Sequence, residues 1–150
     1  MRDRFEEILG ELSVEFGVTF HPDKQGACKI KIDDASPIQL ECDQKLESLL
    51  VATFICEVPP GKLRENIFKD ALKANGPFPT NGILSYSDRN NQLALFAYLR
   101  LADLTGKKLA EFILSFLEKA NSWKRGVETG STAQLVSTNK PPSGMFGLQP

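Results

Sequence analysis

Residues that could act as nucleophile, base or metal ligand are few in this chain, and their spacing gives them no shared task. The single histidine, His21, sits in the loop sequence His21-Pro22-Asp23-Lys24-Gln25-Gly26, and any Ser-His or Cys-His nucleophile would have to use it. The three cysteines, Cys28, Cys42 and Cys56, are odd in number and contain no CxxC, so neither a disulfide scaffold nor a zinc site is expected. Glu57, at the end of an apolar run, is the one acid in apolar company. The other carboxylates fall on outward positions of helices and strands, where they are simply solvated. There is no GxGxxG, no Walker-type phosphate loop and no HExxH. A binding protein fits this inventory better than an enzyme, and no cofactor is expected. A small α/β enzyme with an unrecognised pocket is the alternative, which stoichiometric binding of a small metabolite would favour.

Composition narrows the class further. The 150 residues suffice for one domain with a real core, and the 41% hydrophobic content is ordinary for a globular chain. Lys+Arg of 18 against Asp+Glu of 19 leaves a formal charge of -1 with no basic stripe, so nucleic acid is not an expected partner. The longest apolar stretch, around Leu49 to Cys56, is too short to span a bilayer. The N-terminus MRDRFEEILG lacks a signal-peptide core, which implies a cytosolic protein with no membrane insertion.

The elements that must position any site can be read from periodicity. Arg4 to Gly17 is an amphipathic helix carrying Phe5, Ile8, Leu9, Leu12 and Phe16 on one face, with Gly17 as its stop. Cys28 to Asp33 and Ile38 to Asp43 alternate as strands. Pairing Ile32 with Ile38 would set Ile30 by Leu40 and Cys28 opposite Cys42. Leu46 to Val58 is a long third strand ended by Pro59-Pro60-Gly61. Lys62 to Asn75 is a helix with a wide apolar surface, stopped by Gly76-Pro77.

The chain is organised around the hairpin that follows, PFPTNGILSYSDRNNQLALFAYL. Its strands are Ile83 to Ser87 and Leu93 to Leu99. The second strand is apolar on both faces, with Leu93, Leu95, Ala97 and Leu99 on one and Ala94, Phe96 and Tyr98 on the other. It is therefore expected to be central, with a flanking helix covering each side. Thr105 caps a last helix striped by Leu109, Phe112, Ile113, Phe116, Leu117, Ala120 and Trp123. From Gly126 onward the Gly, Pro, Ser and Thr content predicts a flexible tail, so the expected division is a domain over 1–125 and a tail over 126–150. Met145, Phe146 and Leu148 could form a docking motif in it.

The order α-β-β-β-α-β-β-α, with FEEILGEL in the first helix, the hairpin above and the helix LTGKKLAEFILSFLEKANSWK, resembles the CesT/SycE-type class I chaperones of bacterial type III secretion, the Tir chaperone family. The resemblance covers about residues 1 to 125. It implies an α+β fold, a twisted, mainly antiparallel sheet covered by helices, in a dimeric protein of the bacterial cytoplasm. It implies a chaperone that binds the N-terminal chaperone-binding segment of a secreted effector and keeps it extended and secretion-competent without ATP. In such proteins the middle helix and a nearby strand form the dimer contact, making Leu63, Ile67, Phe68, Ala71 and Leu72 the interface candidates. The partner subunit is a second copy, or a paralogous chaperone in a heterodimer or regulatory adaptor.

A chaperone of this kind needs a free sheet edge for strand addition and shallow apolar grooves for anchor side chains. The first hairpin can supply the edge. Phe5, Ile8, Leu9 and Leu12 of the first helix, with Ile30, Ile32, Ile38 and Leu40 of the strands, are the groove candidates. Burial within the core is the competing assignment for all eight. Exposure separates the two, since a groove residue stays partly wet.

Overall fold

Asp3 opens the first helix by accepting a hydrogen bond from the Glu6 N–H at 2.8 Å, and Gly17 closes it in the left-handed region at φ 67°. The computed structural model describes residues 3–77 and 79–139. It contains α1 (Arg4–Phe16), β1 (Ala27–Ile30), β2 (Ile38–Asp43), β3 (Ser48–Glu57), α2 (Lys62–Asn75), β4 (Ile83–Ser87), β5 (Gln92–Arg100) and α3 (Gly106–Thr129), followed by a 3-10 segment, Ala133–Asn139. This is the expected α+β order with one element added. The five strands form one antiparallel sheet in the order β1-β2-β3-β5-β4, so β5 is internal, as its two apolar faces require.

The register of the first hairpin differs from the expected one by two residues. Ile30 pairs with Ile38 and Cys28 with Leu40. Asp33 adopts a left-handed φ of 51°, and the Ala35 N–H bonds back to the Ile32 carbonyl, so the loop spans residues 31–37 rather than 33–37. Ile32 thereby leaves the strand. Gly26, not Cys28, lies opposite Cys42, whose N–H donates to the Gly26 carbonyl. All three thiols are free.

The core lies between one face of the sheet and the pair α1 and α3. Phe5, Ile8, Leu9 and Leu12 of α1 meet Leu109, Ile113, Phe116 and Trp123 of α3 over Leu40, Leu49, Val51 and Leu95 of the sheet. The two helices touch most closely at Gly106, where an added Cβ would stand 2.3 Å from the Glu11 Cβ and 2.6 Å from the Glu11 backbone carbon. The Gly106 N–H also donates to Glu11 Oε1 at 3.1 Å. Overpacking a rigid contact of this kind costs about 1–3 kcal/mol. Gly106→Ala is therefore expected to lower the melting midpoint by several degrees, and an unchanged midpoint would show that the helices can part at no cost.

The expected tail is partly ordered. α3 continues through Gly126 to Thr129, with Gly126 and Val127 buried, and the chain then folds back as the 3-10 segment. Residues 126–139 thus continue the fold where a flexible tail was expected. Gly126 is a contact glycine within the helix rather than a breaker. Residues 140–150, including Met145, Phe146 and Leu148, lie outside the described residues.

Lys119 secures the approach to β4: its Nζ donates to the Thr80 and Gly82 carbonyls, each at 2.8 Å. Burial lowers its pKa from the ordinary 10.5 to about 8. Between those values the unfolded chain binds more protons than the folded one, so this lysine makes stability rise with pH across that window. The urea midpoint is expected to rise more from pH 8 to pH 10 in the natural chain than in Lys119→Gln. Equal rises would remove this assignment.

Candidate functional site

Along β3 and β5 the side chains alternate between the helix-covered face and the opposite one. Leu49, Val51 and Leu95 point into the core, while the cross-strand pairs Leu50–Tyr98, Ala52–Phe96 and Phe54–Ala94 point the other way. Among the described residues, no helix covers this second face. α1 and α3 share the core side, and α2 packs beside β4 and the 3-10 segment. The expectation that each face of β5 has its own helix is corrected accordingly. Phe54 is 53% exposed and Tyr98 65% exposed. Phe96 and Tyr98 stack edge to face with centroids 5.9 Å apart. A concavity of about 580 Å³ opens on this face, lined by Lys29, Gln39, Leu50, Phe54, Tyr86 and Phe96 among others. A bulge between Phe54 and Cys56 interrupts the register at its rim.

Tyr86, paired with Leu93 on the helix side of β4, packs against α2. Its ring meets Phe68 edge to face at 5.0 Å, and the Arg64 guanidinium lies 5.0 Å from the Tyr86 centroid and 5.2 Å from that of Phe68. Arg64 Nη2 donates to Tyr86 Oη at 2.5 Å and Nη1 to Asn91 Oδ1 at 2.9 Å, while Tyr86 Oη also donates to Asn91 Oδ1 at 2.7 Å. The Asn91 amide in turn donates to the Val58 carbonyl at 3.0 Å. The cluster pins α2 against the hairpin turn and leaves one aromatic rim exposed.

The two edges of the sheet are unlike. On β4, the Asn75 amide donates to the Leu84 carbonyl at 2.9 Å and accepts from the Leu84 N–H at 2.8 Å, filling the place of a neighbouring strand. On β1, the Asp23 N–H donates to the Ala27 carbonyl at 2.7 Å and the Ala27 N–H donates to Asp23 Oδ1 at 3.0 Å, sealing the first residue only. Gly26–Cys42 is a hydrogen-bonded pair. In the antiparallel pattern Cys28 and Ile30 then bond to β2, and Lys29 turns its backbone outward. The free edge is therefore at Lys29.

Against this geometry, the family model described as the Tir chaperone protein (CesT) family matches residues 7–124. The chain belongs to that family. Solved structures share the fold of this Tir-chaperone-family protein at low identity. The HopA1–SchA chaperone–effector complex matches with a TM-score of 0.69 at 19% identity, covering 81% of this chain and 94% of that one. The heterodimeric ExoU–SpcU complex of Pseudomonas aeruginosa gives 0.65 at 18%, covering 81% and 98%. The Yersinia pestis type III secretion chaperone SycH, in complex with a fragment of YscM2, gives 0.64 at 16%, covering 79% and 98%. No curated protein matches.

Within this family member the expected site residues fall unevenly. Phe5, Ile8, Leu9, Leu12, Ile30, Ile38 and Leu40 are all buried in the core, and of these only Ile38 borders the concavity on the second face. Ile32 alone of the eight is half-buried, at a shallow concavity beside Leu114 and Leu117. Of the interface candidates, Ile67 and Ala71 are buried, Leu63 and Phe68 half-buried, and Leu72 is 73% exposed. Tyr98 is exposed and Phe96 half-buried on the face of β5 for which the reading of the sequence expected a helix, and Phe54 of β3 lies exposed beside them. The signal was present in the outward alternation of β3 and β5, but it could not say which side the helices take. Burial pushes all three thiols above the ordinary cysteine value, the opposite of an activated nucleophile. His21 is exposed, and so is Glu57 at the strand rim. Among the described residues no helix is long and apolar enough to cross a membrane.

Proposed function

We propose that this chain is a cytoplasmic type III secretion chaperone that holds the N-terminal segment of a secreted effector in extended form, without enzymatic activity and without ATP. The observation that carries the proposal is the family match over residues 7–124, and the geometry suits it. An unfolded client offers backbone hydrogen bonds, and the outward backbone of Lys29 in β1 is where a strand can be added. The client remains extended because the sheet supplies in register the bonds that its own collapse would otherwise make. The chain works as a dimer. The exposed aromatic face of β3 and β5 is the apolar surface that a second subunit covers.

The test is affinity capture from the native cytosol, followed by light scattering, limited proteolysis and mass spectrometry. A dimer carrying one polypeptide, protected at its N-terminal region and retained without nucleotide, is the expected result. A protein that elutes alone would overturn the proposal, and a stable pair with a paralogue of similar size would replace the homodimer by a heterodimer.

A further inference from the structure

Lys119 lies half-buried on α3, across the sheet from the open aromatic face, and neither strand addition nor the subunit contact uses it. Among the described residues its Nζ has two hydrogen-bond partners, the Thr80 and Gly82 carbonyls, and no carboxylate pairs with it. Both partners are neutral. An ammonium carries three N–H donors and finds two acceptors here, with water thinned around the third. The neutral amine carries two N–H donors, which match the two carbonyls, and keeps a lone pair at the remaining tetrahedral position. The chain leading into β4 therefore holds the nitrogen in place, while burial without a counter-ion favours its uncharged, nucleophilic form.

The side chain also lines a concavity of about 290 Å³, walled by Asn81 before β4, by Ser115, Ser122 and Trp123 of α3, and by Leu135 of the 3-10 segment. Glu118, which is exposed, is the one other charged residue lining it. We infer that Lys119 is an acylation site, the amine of this chain that takes the acyl group of a small acyl phosphate. The nitrogen lone pair attacks the acyl carbon, the N–C bond forms, and the C–O bond to phosphate breaks. Inorganic phosphate leaves with that electron pair, the surplus proton of the amine passes to water, and nothing is oxidised or reduced. Glu118 repels the departing phosphate toward solvent rather than holding it. The product is an amide with a single N–H, so only one of the two carbonyls keeps its donor and the grip on the approach to β4 loosens.

An ordinary lysine is neutral to about one part in a thousand at pH 7.5, and an amine titrating near 8 to about one part in four. Lower basicity also weakens the nucleophile, as it does a thiolate, which leaves an advantage of about tenfold. The test treats the full chain with acetyl phosphate at pH 7.5, stops at low conversion and reads each lysine by peptide mass spectrometry. Lys119 is expected to acetylate about tenfold faster than the exposed Lys69, Lys73 and Lys107. Its rate is expected to level off above about pH 9, where the amine is already neutral. In urea that unfolds the chain, the advantage is expected to vanish. A Lys119 that acetylates no faster than the exposed lysines of the folded chain overturns the inference. So does an advantage that survives in urea, because it would then belong to the neighbouring sequence and not to the fold.

Discussion

An Ile8→Asp chain is expected to unfold rather than to lose a partner. Ile8 is 0% exposed in the single chain, on the α1 face that meets α3 and the sheet, and Leu40 beneath it is equally buried. A carboxylate there must either be desolvated or take up a proton, and it also replaces a branched apolar side chain that fills the core. Changes of this type exceed about 4 kcal/mol, a large part of the 5–15 kcal/mol that typically separates folded from unfolded domains. Far-ultraviolet circular dichroism and a thermal melt of Ile8→Asp or Leu40→Asp should show a chain unfolded or strongly destabilised at 25 °C. A variant that melts within a few degrees of the natural chain and fails only to bind its client would reinstate α1 as a groove.

The opposite outcome is expected on the other side of the sheet. Phe54→Asp together with Tyr98→Asp should leave the fold intact and abolish the dimer. Both rings are more than half exposed, so in the single chain a carboxylate at either place stays hydrated and little packing is lost. In the proposed subunit contact the same positions are aromatic anchors, which typically carry 2 kcal/mol or more each at the centre of an interface. Two such losses raise the dimer dissociation constant by about a hundredfold or more, since each 1.4 kcal/mol is a factor of ten. Sedimentation equilibrium at micromolar concentration would show monomers with the circular dichroism of the natural chain. A dimer of undiminished affinity would remove the aromatic face from the interface.

These two expectations show what could be read from the residues and what could not. Helix α2, strand β2 and strand β4 were bounded correctly because Pro59-Pro60-Gly61, Gly76-Pro77 and the run Asp88-Arg89-Asn90-Asn91 punctuate the chain chemically. The register of β1 on β2 was missed because it depends on the left-handed conformation of Asp33, a residue that is also at home in a two-residue turn. The ordered segment after α3 was missed because Gly126 carries the composition of a linker while its role is steric. The aromatic surface was half legible. β5 announced two apolar faces, but which of them receives α1 and α3 is decided by packing among elements distant in sequence. A strand's own period cannot encode that choice.

The unequal edges of the sheet also bear on how this protein avoids solidifying. A sheet that recruits strands from strangers risks recruiting its own kind without end, and open-ended growth needs two complementary borders on every copy. Here the Asn75 amide occupies one border, and Asp23 narrows the other to the neighbourhood of Lys29. Two copies meeting through that remaining border would form a closed pair of sheets related by a two-fold axis, with no strand edge left to extend. The sheet therefore keeps no second border along which it could grow strand by strand.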